Sequence, residues 1–270
     1  GCSAPPRYDM KVVVRYPTSG KPDHYAVERM QWIQRERPGW DVSTWRNGYA
    51  VDICRNEIVK DAVDKGADYL IMIDDDIIPT KRVLELPDLD KPIVAGLSLC
   101  WNAGAMFWNA FVKDSDQYVY RSVCNADFPT EAPREVYAVG AAILCIRADV
   151  LNDEEMRPLF KFKLNEWGLI DSLGGEDIQF CLKARDRGYS IWVDPQTQGE
   201  HWRPFGLKQT MARFDAVHND PNYTMPEVFA MGLANVPETR GIKNTEVKPK
   251  PQPVPIQDRL NIINRTLRIK

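Results

Sequence analysis

Three consecutive carboxylates, Asp74-Asp75-Asp76, follow directly on the apolar run Tyr69-Leu70-Ile71-Met72-Ile73. Adjacent carboxylates repel one another, and the arrangement becomes favourable when a divalent cation neutralises it. The plain alternative is a solvated acidic turn ahead of Pro79. A second acidic pair, Glu176-Asp177, stands after Gly174-Gly175 at the start of a helical pattern. Backbone N–H groups there favour anions, so Asp177 suits either a first-turn stabiliser or a base that deprotonates a hydroxyl. Arg55, in an earlier helical pattern, is placed to pair with a phosphate or with the acidic cluster, unless it is an ordinary exposed helix arginine.

These groups need elements to hold them. Tyr69–Ile73 shows no polar alternation, as expected of a strand buried on both faces of a parallel sheet. The carboxyl end of such a strand is where open α/β sheets bind ligands. Lys11–Arg15 reads as a first strand, closed by the breaker cluster Tyr16-Pro17-Thr18-Ser19-Gly20. Asp23–Arg37 reads as a helix, Trp40–Trp45 as a second strand, and Ala50–Lys65 as a helix closed by Gly66. Further strands are expected at Pro92–Leu97, Tyr137–Ile146 and Ser190–Val193, with a helix at Glu176–Arg187 ended by Gly188. The aromatic stretch from Trp101 to Tyr120 reads as irregular. Strands alternating with helices over the first hundred residues predict an α/β sheet.

Composition narrows the classes. The 270 residues are 44% hydrophobic and 27% charged, which excludes fibrous and wholly disordered chains. The net charge of −3 conceals a division: residues 241–270 carry seven Lys/Arg against two Asp/Glu, a net of +5, so the rest carries −8. An acidic body disfavours a general nucleic-acid binder, which needs a concentrated cationic face. The six cysteines form no C-x-x-C pair, and Cys54, Cys145 and Cys181 fall in apolar periodic stretches where a free thiol packs as a small hydrophobe. No apolar run approaches the roughly 20 residues of a membrane span, and no secretory segment follows Gly1. A cytoplasmic location is the expectation.

The end of the chain differs in kind. Pro249, Pro251, Pro253 and Pro255 alternate through an extended linker, after which Ile256, Leu260, Ile263 and Leu267 share one helical stripe. The expected organisation is an unstructured N-terminus (1–10), one catalytic domain (11–240), a Pro-rich linker (241–255) and an amphipathic C-terminal helix (256–270). That helix suits oligomerisation or peripheral docking, membrane-surface attachment included.

The run Ala67-Asp68-Tyr69-Leu70-Ile71-Met72-Ile73-Asp74-Asp75-Asp76-Ile77-Ile78-Pro79 resembles the D-x-D segment of GT-A-fold glycosyltransferases, of the family-2-like kind. Arg55-Asn56-Glu57-Ile58-Val59 is similar to the Arg-Asn helix that precedes it in many of these enzymes. Gly174-Gly175-Glu176-Asp177, then Gly188-Tyr189 and His201, resemble their glycine–Glu–Asp helix start and later histidine. The matched region runs from about Lys11 to Trp202.

The resemblance implies a GT-A fold: a Rossmann-like, mostly parallel central sheet flanked by helices, here with a C-terminal extension. It implies transfer of a sugar from a nucleotide-diphosphate sugar, UDP- before GDP-linked, to an acceptor hydroxyl. Asp74, Asp76 and His201 would hold the metal, and an imidazole ligand favours Mn2+ over Mg2+. Asp177, with Glu176 beside it, would be the base of an inverting reaction. Tyr16, Pro17, Thr18, Arg55, Asp74, Asp75, Gly140, Ala141 and Gly175 would line the nucleotide-sugar pocket. Trp101, Trp108 and Trp202 are candidates for an acceptor platform, since aromatic faces stack on sugars. The acceptor is left open between glycan, protein, small molecule and a modified DNA base.

Other classes fit less well. A sugar nucleotidyltransferase should carry a Gly/Arg-rich phosphate loop where this chain has Tyr16-Pro17-Thr18-Ser19-Gly20. An aspartate-nucleophile phosphatase should not have Ile78 after its second Asp and variable residue. A binding protein that keeps the fold without turnover is the remaining alternative.

Overall fold

The structure is a computed structural model that describes residues 10–18, 20, 24–46, 50–102, 105–113, 120–123, 127–128, 130–170 and 174–202. The expected linker, C-terminal helix and most of the N-terminus lie outside these residues. Strand β1 (Val12–Thr18), helix α1 (His24–Glu36), β2 (Asp41–Arg46), α2 (Val51–Asp64) and β3 (Tyr69–Ile73) alternate, as the sequence periodicity predicts. They are followed by β4 (Ile77–Pro79), a 3-10 segment at Lys81–Leu89, and β5 (Ile93–Asn102). Next come β6 (Ala105–Trp108), β7 (Ala110–Lys113), β8 (Tyr120–Ser122), β9 (Arg134–Val136), β10 (Ala138–Val139) and β11 (Ile143–Arg147). A short α3 (Ala148–Leu151), α4 (Glu176–Asp186) and β12 (Ile191–His201) complete the described chain.

The central sheet has the order β2-β1-β3-β11-β5-β12-β4. β2, β1 and β3 pair in parallel, as do β5 and β12; β11, between β3 and β5, and β4, at the edge, run the other way. The fold is thus α/β with a mostly parallel sheet. Alternation along the strands divides the core between two faces. Val13, Leu70 and Met72 pack with Cys54, Ile58 and Ala62 of α2 and with Phe180, Cys181 and Ala184 of α4. Val12, Val14, Ile71 and Ile73 pack with Ala26 and Ile33 of α1 and with Val83 and Leu86. β3 is buried along its whole length because both faces are covered. Gly66 and Gly188 end α2 and α4 with positive φ, a backbone conformation in which a Cβ is strained.

Four expectations need correction. β1 does not end at Arg15: Tyr16-Pro17-Thr18, expected to break the strand, continue it opposite Thr44, Trp45 and Arg46 of β2, because Pro17 is compatible with extended backbone. The run Tyr137–Ile146 is two strands, β10 and β11, because the chain turns at Ala141-Ala142. The stretch from Trp101 to Tyr120 is not irregular throughout: β6 pairs with the end of β5, and β7 joins β8 and β10 in a small separate sheet. Its aromatics obscure a period-two pattern. The strand expected at Ser190–Val193 continues to His201.

That last extension depends on a register shift between Asp194 and Gln198. Buried Asp194 accepts a hydrogen bond from Thr197 Oγ1 at 2.6 Å, closing the bulge on itself. Gly96 of β5 lies against it, where a Cβ would stand 2.8 Å from Thr197 Cγ2 and 2.9 Å from its carbonyl oxygen. Arg15 is another buried polar residue. Its guanidinium pairs with Asp41 at 2.8 Å and Asp61 at 2.6 Å, joining β1, β2 and α2. The Arg15 hydrogen bond holds the Asp41 carboxyl down at about 2.

Among the described residues, no helix is long and apolar enough to cross a membrane. Gly96→Ala should lower unfolding free energy by about 1–3 kcal/mol in urea titration, because backbone must shift to admit the methyl group. Gly39→Ala, with nothing within 4 Å of its Cβ, should change it by less than about 0.5 kcal/mol.

Candidate active site

The turn after β3 and the N-terminus of α4 are held together by one buried side chain from α2. Arg55 is 4% exposed; its Nη2 donates to Asp74 Oδ1 at 2.8 Å, and its Nη1 donates to Glu176 Oε1. Its guanidinium also lies over the Phe160 ring, 5.9 Å from the centroid, and Phe160 stacks on Phe180 of α4. Asn56, the next residue, bonds the Phe160 backbone on both sides: Nδ2 donates to its carbonyl at 2.6 Å and Oδ1 accepts from its N–H at 3.1 Å. The Arg-Asn pair therefore divides its work, one side chain reaching the acidic groups and the other fixing the loop against which Arg55 rests.

Two carboxylates share this one guanidinium. Burial pushes Glu176 up to about 7 despite the arginine, and burial likewise raises Asp74 above the usual carboxylate range. Asp76 and Asp177 add further negative charge that acts on Asp74. The cluster is under-neutralised by the protein's own cations, a state that a bound cation relieves.

At its far end, Asp76 Oδ2 stands 2.9 Å from His201 Nε2. His201 Nδ1 lies 3.1 Å from the Leu99 carbonyl oxygen, which can only accept, so Nδ1 carries a proton. The Nε2 lone pair of the neutral ring would then face a carboxylate, and the Asp76 hydrogen bond instead raises the imidazole to about 10. A cation between Nε2 and Oδ2 would take the place of that second proton. One imidazole and one carboxylate are a donor pair that could hold Mn2+. Asp74 turns to Arg55 rather than joining this pair, and no cluster of three metal-binding side chains occurs among the described residues.

Asp177 is the second residue of α4 and is partly exposed. Its Oδ2 accepts from the Ala141 N–H at 3.4 Å, and its Oδ1 accepts from the Ile178 N–H at 2.7 Å. A Cβ at Gly140 would stand 3.4 Å from Oδ2, and one at Gly175 would stand 2.9 Å from Oδ1. The same turn reaches the acidic segment, because Ala142 accepts from the Asp74 N–H at 3.0 Å. Gly140, Ala141, Gly175 and Asp177 are thus brought together beside Asp74. Buried Asn109 holds the turn from behind: its Oδ1 accepts from Ser98 N–H at 2.7 Å, and its Nδ2 donates to Gly96 and Gly140 carbonyls. Sequence reasoning missed Asn109, which carries no motif and sits within the aromatic stretch.

The remaining candidates are more scattered. Tyr16 is wholly buried in the core with its hydroxyl unpartnered among the described residues, and burial raises it far above an ordinary phenol. Pro17 is buried beside it, and Thr18 is buried with its hydroxyl accepting from Gly20 N–H at 3.2 Å. Asp75 is partly exposed between the two aspartates. Trp108 packs in the core, whereas Trp202 is 37% exposed, meets Tyr25 edge-on at 4.7 Å, and donates its backbone N–H to the Asp76 carbonyl. The side chain of Trp101, on β5, lies outside the described residues.

No protein-family model and no curated protein matches the sequence. Solved structures do match. A197 from STIV aligns with a TM-score of 0.50 and 14% identity, over 72% of this chain and 87% of A197. GalNAc-T7, solved with UDP, GalNAc and Mn2+, aligns at 0.43 and 11% identity, over 73% of this chain and 44% of its own. A glycosyltransferase involved in glycosylation of the major capsid of PBCV-1 aligns at 0.30 and 12% identity, over 54% of this chain and 64% of its own. The chain spans less than half of GalNAc-T7. The likeness is one of fold, and the fold class is α/β with a mostly parallel central sheet.

Arg55→Met should destabilise the protein by about 3–5 kcal/mol near neutral pH, since buried Glu176 and partly buried Asp74 lose their partner. The loss should be smaller at pH 5 than at pH 8. A carboxyl whose folded pKa is raised binds protons more readily in the native state, so stability falls as pH rises through that range. Denaturant titrations of wild type and variant at the two pH values measure both effects.

Proposed function

We propose that the protein transfers a glycosyl group from a nucleotide-diphosphate sugar to an acceptor hydroxyl, with inversion and with Mn2+ or Mg2+ bound. The observation that carries this reading is the pairing of Asp76 Oδ2 with His201 Nε2 at 2.9 Å, at the carboxyl end of the parallel strand β3, beside the Asp177 turn. The motif resemblance in Arg55-Asn56, Asp74–Asp76 and Glu176-Asp177 supports it, as does an α/β fold whose mostly parallel sheet carries the acidic turn at the carboxyl end of β3.

Asp76 and His201 would hold the metal, which when bound supplies a Lewis acid for the charge that develops on the leaving diphosphate. Asp74 stands beside them, its orientation set by Arg55. The Gly140-Ala141-Ala142 turn carries no bulky side chain and would let the donor sugar lie against backbone. Asp177 is held by two backbone N–H groups in a partly exposed position. There it would take the acceptor's proton as the acceptor oxygen bonds to the anomeric carbon and the bond from that carbon to the diphosphate oxygen breaks. Glu176, turned inward to Arg55, would position α4 rather than meet substrate. Exposed Trp202, beside the metal pair, offers an aromatic face to the acceptor or the base.

Calorimetric titration with UDP, and with GDP in a parallel arm, tests the donor site. Binding of one nucleotide should require Mn2+ and should weaken at least about ten-fold in Asp76→Ala. Equal affinity with and without metal, or an unchanged Asp76→Ala, would exclude this assignment. Asp177→Asn should bind the same nucleotide with wild-type affinity yet slow donor turnover by about 10²–10⁴-fold, the usual contribution of a general base. Slow hydrolysis of a panel of nucleotide sugars supplies the assay, and unchanged turnover would remove Asp177 from the base role.

A further inference from the structure

Along one edge of β5 the neighbouring strand changes, and a single residue fills the interval. β11 pairs with β5 no further than Ala95, and β6 joins it only from Leu99. Between them the Gly96 carbonyl and the Ser98 N–H and carbonyl meet no strand on that edge among the described residues. Asn109, 3% exposed between β6 and β7, meets all three. Its backbone N–H donates to the Ser98 carbonyl at 3.0 Å, and its Oδ1 accepts from the Ser98 N–H at 2.7 Å. Its Nδ2 donates to the Gly96 carbonyl at 3.4 Å. A side-chain amide carries the same C=O and N–H as a peptide group, so it stands in for the missing strand. Aspartate would lack the donor, and leucine both groups.

The remaining contacts of Asn109 lead to Asp177. Nδ2 also donates to the Gly140 carbonyl at 3.4 Å, and the Gly140 N–H donates to the Asn109 carbonyl at 2.5 Å. At Gly140 the chain passes from β10 in the small sheet to β11 in the central one, and at Asn109 it passes from β6 to β7 in the opposite sense. The two crossings are locked back to back. A Cβ at Gly140 would stand 3.2 Å from Asn109 Cβ on one side and 3.4 Å from Asp177 Oδ2 on the other, so the turn has little slack. α4 docks on it at two points one helical turn apart. Cys181 Sγ lies 3.4 Å from the Val139 N, and Asp177 Oδ2 accepts from the Ala141 N–H at 3.4 Å. The other Asp177 oxygen bonds Ile178 of its own helix, so the Ala141 N–H ties the carboxylate to the sheet.

We infer that Asn109 is a positioning residue for Asp177: through the Gly140 crossing its amide fixes the Ala141 N–H, and with it the direction in which the carboxylate faces an acceptor hydroxyl. The inference rests on the reading of Asp177 as the base of glycosyl transfer. A bond as long as that from Ala141 holds a partly exposed carboxylate only while the turn stays in place. Asn109 does not touch the metal pair. Asp76 and His201 are brought together by the β4–β12 pairing, and the Asp74 side chain is held by Arg55. Loss of the amide therefore bears on the proton-transfer step and spares nucleotide binding, whereas a merely structural asparagine would act on every step alike.

Asn109→Ala in the full-length protein tests this by two measurements. Hydrogen exchange followed by NMR should show the Ala141 amide exchanging at least about ten-fold faster than in the wild type, while the Leu70 and Met72 amides of β3 keep their rates. The kcat for nucleotide-sugar hydrolysis should fall about ten- to hundred-fold with Mn2+-dependent affinity for UDP or GDP unchanged. That fall should vanish when the substitution is made in Asp177→Asn, because the two residues act on one path. Unchanged exchange at Ala141, equal slowing with and without Asp177, or an effect confined to the melting temperature would overturn the assignment. If the wild type hydrolyses no nucleotide sugar, or Asp177→Asn matches it, the base reading fails. Faster exchange at Ala141 then still upholds the path from Asn109 to Asp177, and unchanged exchange removes it. Should Asn109→Ala not fold, Gly140→Ala, which crowds Asp177 from the same crossing, carries both measurements with the same expected results.

Discussion

A single guanidinium placed between two carboxylates from distant parts of the chain organises the candidate site. Arg55 cannot shed its charge, and once α2 packs on the sheet it is buried. Its burial is tolerable only because Asp74 and Glu176 converge on it, so the end of β3 and the start of α4 are drawn to one point. The neutralisation is incomplete, since two acids meet one base with Asp76 and Asp177 nearby. The same interaction that assembles the site therefore leaves it short of positive charge.

The histidine end of the site depends on a separate device. β12 would carry His201 elsewhere without the shift between Asp194 and Gln198, and that shift survives because Gly96 has no side chain and Asp194 bonds Thr197. Past the bulge the strand pairs with β4, bringing His201 opposite Ile77 and its ring onto Asp76. The Leu99 carbonyl then sets the tautomer. Second-layer groups with no chemistry of their own, among them Asn109 behind the Gly140 turn and Asn56 behind Arg55, decide where the reactive atoms stand.

Much of the scaffold was legible in the chain. The uninterrupted run at Tyr69–Ile73 signalled a strand buried on both faces, and the three- and four-residue spacing of Val51, Cys54, Ile58 and Ala62 signalled the helix that covers one of them. Where reading failed, the local signal was ambiguous. Tyr137–Ile146 is apolar across a turn made by alanines, which carry no turn preference. The aromatics from Trp101 onward hid short strands whose pairing partners lie far away in sequence. Leu164, Trp167, Leu169 and Ile170 look like core residues by type, and their exposure follows from a loop closed by Lys163 and Gly174.

The sequence by itself determined which residue types could do chemistry and on which elements they ride: carboxylates after a buried strand, an acidic pair at a helix start, an arginine one helix earlier. Tertiary structure decided their roles. It divided the three aspartates, giving Asp74 to Arg55 and Asp76 to His201, turned Glu176 inward and left Asp177 partly exposed. It also withdrew Tyr16 and Trp108 into the core. The reason is physical: a side chain's charge state and reach depend on burial and on partners 19 to 125 residues away, which local periodicity does not encode.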